Sequence, residues 1–182
     1  MNKHFLKDEI SQSMEHNMYL KLQYFPSKLT SMSIKKIGQT LVVDSGMPIA
    51  IANTAYGGIV SHKVANDVMQ YYLKQKLPMV WWIGSFLVQN KDIERYMQAA
   101  GFTYTSLKIG MYCDLANNDI RSYKIPDKLI IKECFNEKDF SDFGKVLAST
   151  FEPGCDQVET FYKKVSTIPI QDRENFRLFI GY

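Results

Sequence analysis

The feature that most constrains this chain is a five-residue apolar run, Met79-Val80-Trp81-Trp82-Ile83, set between two stretches of helical periodicity. Before it, Val64, Val68, Tyr71 and Tyr72 fall on one stripe of a helix expected over residues 61–76, and Pro78 separates that helix from the run. After it, Ile93, Met97 and Ala100 mark the apolar side of a second helix. Asn90 is its expected N-cap, Gly101 its left-handed stop, and Phe102 can pack back on the last turn. A short run without polar alternation, flanked by helices, reads as a strand buried on both faces. The expected fold class is therefore α/β (α+β-like): a mixed sheet with helices on its faces.

The remaining segments fit that frame. Leu6, Ile10, Met14 and Met18 recur every fourth residue, which predicts an amphipathic helix up to Leu22 with Pro26 as its stop. Ser31 to Ile37 and Thr40 to Val43 read as strands joined at Gly38, and Met47 to Ala52 as another strand. Thr103 to Leu115 reads as a long β segment bent at Gly110. Residues 116–127 form the best linker. Beyond it, Leu129 to Glu133 is an expected strand. Asn136 caps a helix with Phe140, Phe143, Leu147 and Phe151 inside, and Pro153-Gly154 ends it. Asp156 is expected to open a further helix, with Glu159 as its capping-box partner and Val158, Phe161, Tyr162 and Val165 on the apolar face. Phe176 to Tyr182 is a strand by composition.

Composition narrows the function classes. The 182 residues carry 22 Lys and Arg against 19 Asp and Glu, a net charge of +3, with no basic run beyond a pair. Binding to nucleic acid needs clustered cations, so no nucleic-acid partner is expected. No apolar stretch approaches the roughly 18 residues of a membrane span, so no membrane partner is expected either. The cysteines are Cys113, Cys134 and Cys155, an odd count without C-x-x-C spacing. That disfavours a disulfide framework or a metal site and suggests a reduced, cytoplasmic setting.

Two segments carry a resemblance. The strings P-M-V-W-W-I-G-S, N-K-D-I-E-R-Y-M-Q-A-A-G-F and K-I-G-M-Y-C-D-L contain Pro78, Trp81, Trp82, Gly84, Gly101, Phe102, Gly110, Met111, Asp114 and Leu115. In that order they resemble the N-terminal half of two-part proteins of the GNAT (acetyl-CoA-dependent N-acetyltransferase) superfamily. From Leu129, the strings L-I-I-K-E-C, F-N-E-K-D-F-S-D-F-G-K-V, V-E-T-F-Y and F-R-L-F-I-G-Y resemble the first strand, two helices and second strand of a GNAT catalytic domain. The resemblance implies a degenerate GNAT-like half over residues 1–118 and an only partly present second GNAT domain over 126–182. In the family, an acetyl group passes from acetyl-CoA to a small-molecule or peptide amine.

The departure from the family pattern is specific. GNAT enzymes hold acetyl-CoA with an R/Q-x-x-G-x-G/A loop that opens a helix, where glycines admit the diphosphate to unpaired N–H groups. No such string occurs here. The expectation is that this chain alone does not bind acetyl-CoA and lacks the catalytic half. A missing C-terminal domain or a homodimer partner would complete the unpaired sheet edge at residues 176–182.

Candidate site residues follow from this reading. Gly57, Gly58 and Lys63, at the start of the helix at 61–76, could be the remnant of an anion site, against the commoner role of a turn and cap. Trp82, adjacent to Trp81 and therefore on the opposite face, could line a cleft. Phe151, Glu152 and Tyr162 lie around the junction of the last two helices, which in GNAT proteins shapes the acceptor-amine pocket. Glu152 there could attract an amine or assist its deprotonation. Cys155 lacks a histidine partner and His62 lacks a second ligand, so neither a nucleophile nor a metal centre is expected. No catalytic residue can be named.

Overall fold

The computed structural model describes residues 7–57, 60–84, 92–113, 126–151 and 155–182. The predicted features at Leu6, Gly58, Asn90, Asp114, Leu115, most of the linker, Glu152, Pro153 and Gly154 lie outside these residues. The chain divides into two compact units, Met1–Gly110 and Met111–Tyr182. Together they form a mixed α and β architecture with a four-stranded sheet in the first and a two-stranded sheet in the second.

Unit 1 opens with α1 (Lys7–Lys28), which continues through Pro26 instead of stopping there. Proline in the last turn forfeits one bond, to the Leu22 carbonyl. The turn is held beyond it, where the Leu29 N–H donates to the Phe25 carbonyl at 2.8 Å. Strands β1 (Ser33–Ile37) and β2 (Thr40–Asp44) form an antiparallel hairpin in which Ile37 faces Thr40. Gly38, at φ +60°, occupies the first position of the two-residue loop, where a type II′ turn requires a positive φ.

The strand expected at Met47 to Ala52 is absent. Ala50–Ala52 is a short 3-10 turn, and the strand β3 (Thr54–Tyr56) follows it. The cause is Asn53, fully buried. Its side-chain oxygen accepts from the Ser45 N–H and hydroxyl at 3.0 and 2.9 Å. Its amide donates to the carbonyls of Met47, Ile49 and Pro78 at 2.7, 3.0 and 3.0 Å. With these groups turned onto one side chain, the segment lays out no ladder, and the Ile49 and Ala52 N–H groups close short turns on the Met47 and Ile49 carbonyls.

Helix α2 (His62–Gln75) then leads to β4 (Val80–Trp82), which runs parallel to β3. The sheet order is β1-β2-β3-β4, so β4 is an edge strand among the described residues and its side chains are only half-buried. The double burial expected for this strand is not found. Two apolar clusters sandwich the sheet. On one face Val42, Ala55, Val68 and Tyr72 pack with Trp81 and Phe102; on the other Leu41, Val43 and Tyr56 pack with Met18, Tyr19, Leu22 and Trp82.

Helix α3 (Ile93–Ala99) ends as the sequence predicts. Gly101 has φ +91°, the Phe102 N–H donates to Met97 O and the Gly101 N–H to Gln98 O, which is a Schellman stop. Residues 102–113 form no helix or strand, contrary to the predicted β segment, and Tyr104, Leu107, Ile109 and Met111 are 79–85% exposed.

Unit 2 runs β5 (Ile131–Glu133), α4 (Glu137–Ala148), α5 (Asp156–Val165), a short 3-10 turn at Ile170–Asp172, and β6 (Phe179–Gly181). Strands β5 and β6 are antiparallel. Asn136 caps α4, and Asp139 completes a reciprocal capping box. No such box forms at α5, whose N-cap is Cys155 without a side-chain bond. Glu159 instead accepts from the Ser141 hydroxyl at 2.6 Å and pairs with Lys163 at 2.7 Å, because α4 passes close enough to compete for it. The close approach depends on Gly144: a methyl there would come within 2.7 Å of the Glu159 Cα.

Candidate functional site

The β3–α2–β4 crossover brings the carboxyl ends of two parallel strands beside a helix start, the place where open α/β sheets bind ligands. Part of the backbone there is already engaged. Gly57 has φ +63°, its N–H donates to Trp82 O at 3.1 Å, and its carbonyl accepts from Thr40 Oγ1 at 3.2 Å. Ser61 caps α2 by accepting from the Val64 N–H at 3.3 Å. Lys63 is 84% exposed and pairs with Asp67 at 2.5 Å, one turn along the same helix. Thus Gly57 serves a turn, Ser61 the cap, and Lys63 a surface ion pair.

Trp81 and Trp82 do project to opposite faces, each into a packed cluster. Trp81 meets Phe102 edge-on, with ring centroids 5.5 Å apart. Its buried indole N–H has no acceptor among the described residues. Trp82 lies beneath α1 with Tyr56, whose hydroxyl donates to the Glu15 carbonyl at 2.9 Å. Burial, aided by the Glu15 charge, pushes the Tyr56 hydroxyl up to about 12.

In unit 2, Tyr162 is half-buried on α5, its ring 4.8 Å from Phe143 and 5.3 Å from Phe161, and burial raises its hydroxyl above the ordinary tyrosine range. Phe151, also half-buried, lies just past the C-cap of α4. The third member of that expected group, Glu152, lies outside the described residues.

A cavity of about 150 Å³ that local sequence patterns do not announce lies elsewhere in unit 2, lined in part by Glu133, Cys134, Phe140, Arg173 and Arg177. Arg173 sits over the Phe140 ring and donates to the carbonyls of Ile168, Phe135 and Ser166 at 2.8, 3.0 and 2.7 Å. Arg177 grips the Glu133 carboxylate through two nitrogens, Nε at 2.9 Å. Burial, then the Asp139 charge, raises the pKa of the Cys134 thiol. Both arginines are thereby committed to holding the fold. A polar residue in a loop carries no local signal of such a role, because its partners are 5 to 44 residues away in sequence.

No group of three His, Cys, Asp or Glu capable of holding a metal occurs among the described residues. No described helix is long and apolar enough to cross a membrane. No family model matches the chain, and no curated protein or solved structure matches it significantly.

Proposed function

We propose that this chain is a GNAT-related protein whose described residues, in both units, do not by themselves hold acetyl-CoA. The reading rests on the strand-to-helix turn at Gly57. A diphosphate cradle needs main-chain N–H groups left free at a helix start. Here the Gly57 N–H goes to Trp82, a Val64 N–H goes to Ser61, and the nearby cation is drawn to Asp67. Two main-chain donors and the cation that could face a diphosphate at this turn are thus engaged elsewhere, which supports the reading.

Family membership is supported by two further features. Unit 2 has the order strand, two helices, antiparallel strand, as the resemblance implies for the opening of a GNAT domain. Unit 1 carries the tryptophan strand followed by a helix ending at Gly101-Phe102. Acetyl transfer to an amine, the family chemistry, requires donors for the thioester carbonyl and a route for the amine proton. In this chain neither is assigned, and we read it as a GNAT-acetyltransferase-related protein in the cytoplasm that lacks the family's catalytic half. Its exposed apolar segment at residues 104–112 favours a binding or dimerisation module as the second reading.

Isothermal titration of the whole chain with acetyl-CoA tests the proposal. No saturable heat is expected up to a coenzyme concentration of about 1 mM, the weak end of specific affinity. Micromolar binding that disappears in Lys63→Ala would overturn it.

A further inference from the structure

The edge of the sheet opposite β4 is lined by lysines. β1 borders it, and Ser33, Ile34, Lys35 and Lys36 are all exposed. The two-residue loop after Ile37 makes Ile37 and Thr40 a hydrogen-bonded pair, so Ser33, Lys35 and Ile37 spend their backbone groups on β2. The N–H and C=O groups of Ile34 and Lys36 then point outward, and no described residue bonds to them.

The side chains divide between the two faces. Lys35 lies on the α2 face, its ammonium 2.9 Å from the centre of the Tyr71 ring. Burial lowers its pKa, the Asp44 charge opposes this, and the Lys74 charge adds to it. Asp44 is itself bonded to the Tyr71 hydroxyl at 2.6 Å and to the Gly46 N–H at 2.7 Å. Lys36 and Lys74 are exposed and form no ion pair among the described residues. Ile34, 40% exposed, lies on the α1 face opposite Val43 of β2. The edge therefore offers outward backbone groups, surplus positive charge on the α2 face and an apolar side chain on the other. A second copy pairing here would bring two sets of lysines together, which disfavours it. A strand with acidic residues at alternate positions meets the lysines with carboxylates and Ile34 with apolar side chains.

We propose that the outer edge of β1 is a docking site for an acidic peptide in extended conformation, which adds to the sheet as a further strand. The Ile34 and Lys36 backbone groups bond to the peptide main chain. Lys35 and Lys74 take its carboxylates on the α2 face, and Ile34 receives its apolar residues on the α1 face. The site lies across the sheet from the β4 edge and stands whether or not the chain binds acetyl-CoA.

Fluorescence anisotropy of the labelled peptide Glu-Val-Glu-Val-Glu-Val, titrated with the whole chain, tests this. Saturable binding is expected, with a dissociation constant below about 1 mM at low salt. The same peptide N-methylated at every residue keeps its charges but has no backbone donors, and should bind more weakly by about tenfold or more. Lys35→Glu should weaken binding of the unmethylated peptide by about tenfold or more. Ile34→Pro sets a ring where the outward N–H was and spares the bonds to β2, so it should weaken binding as much. If either variant loses the native denaturation midpoint, the methylated peptide against the native chain decides in its place. The proposal is overturned by the absence of saturable binding, by equal binding of the methylated peptide or of Lys-Val-Lys-Val-Lys-Val, or by native affinity in either folded variant.

Discussion

Apart from the Trp81 indole, the buried polar groups of unit 1 are met by neutral partners; in unit 2 they are met by charges. Asn53, Ser45 and Thr40 are fully buried in unit 1 and bond to backbone or to one another. Tyr72, also buried, donates to the Val43 carbonyl at 2.6 Å. In unit 2 the buried Asp139 carboxylate receives Lys132 at 2.5 Å and the Phe135 N–H at 3.1 Å. Arg173 joins the 3-10 turn region to Phe135, and Glu133 holds Arg177. The four-stranded sheet has two apolar faces to cover and needs polar chemistry only in one loop. Two strands alone make a marginal sheet, so unit 2 leans on ion pairs that tie strand to helix.

The largest effect that this contrast predicts is in unit 1. Asn53→Ala removes a side chain with five hydrogen-bond partners and leaves the Ser45 N–H without its acceptor in a dry interior, while the Met47 and Ile49 carbonyls keep only their backbone donors from Ile49 and Ala52. A loss of about 2–4 kcal/mol is expected, from one unsatisfied buried donor and several lost hydrogen bonds at about 1 kcal/mol each. Chemical denaturation of the variant should show unit 1 unfolding early, with unit 2 protection unchanged. A variant as stable as the native chain would mean that water replaces the amide, and the contrast between the units would fail.

A smaller and reversible effect separates the units by pH. The Lys132 ammonium, followed by the Phe135 and Asn136 N–H groups, holds the Asp139 carboxyl below its ordinary range against the opposing effect of burial. Arg177 does the same for Glu133, Lys138 for Asp142, and Lys163 for Glu159. All four lie in unit 2. A carboxyl whose pKa is depressed by folding stabilises the fold fully above its unfolded pKa, near 4, and that stability is lost as pH falls through the folded value. The other three carboxylates are more exposed than Asp139 and their cationic partners face solvent, so screening discounts those pairs and Asp139 carries most of the effect. Acidification below about pH 4 should therefore release amide protection in β5, α4 and α5 before β2 and α2. Simultaneous loss in both units would show that the charges of unit 2 are incidental to its stability.

What could be read in advance divides along a similar line. The α2 stripe, the Gly38 hairpin, the Gly101-Phe102 stop and the Asn136 cap each depend on residues within a few positions of one another, and the structure keeps them. The strand expected at Met47 to Ala52 failed because Asn53 collects carbonyls from as far away as Pro78. Glu159 left its own helix start because Ser141 came near. Burial of β4 on both faces was inferred from apolarity alone, which cannot distinguish an edge strand from a central one. At the candidate site, the glycine before a helix was legible. That the Gly57 N–H is spent on Trp82 was not, because the parallel pairing of β3 and β4 decides it.

The smallest predicted effect bears on the ends of helices in unit 1. Lys76 is the one described non-glycine residue with positive φ, at 55°, and it closes α2 as Gly101 closes α3. The Leu77 N–H donates to Tyr72 O and the Lys76 N–H to Leu73 O, the same pair of bonds that Phe102 and Gly101 make. A side chain in this conformation costs about 1 kcal/mol relative to glycine, and part of that is offset by the greater freedom of glycine in the unfolded chain. Lys76→Gly should therefore stabilise unit 1 by about 0.5–1 kcal/mol and leave unit 2 unchanged. The measurement is the denaturation midpoint at unchanged slope. A destabilised variant would show that the Lys76 side chain contributes more through its stem or charge than its backbone strain costs, and the local stop would then not be interchangeable with that of α3.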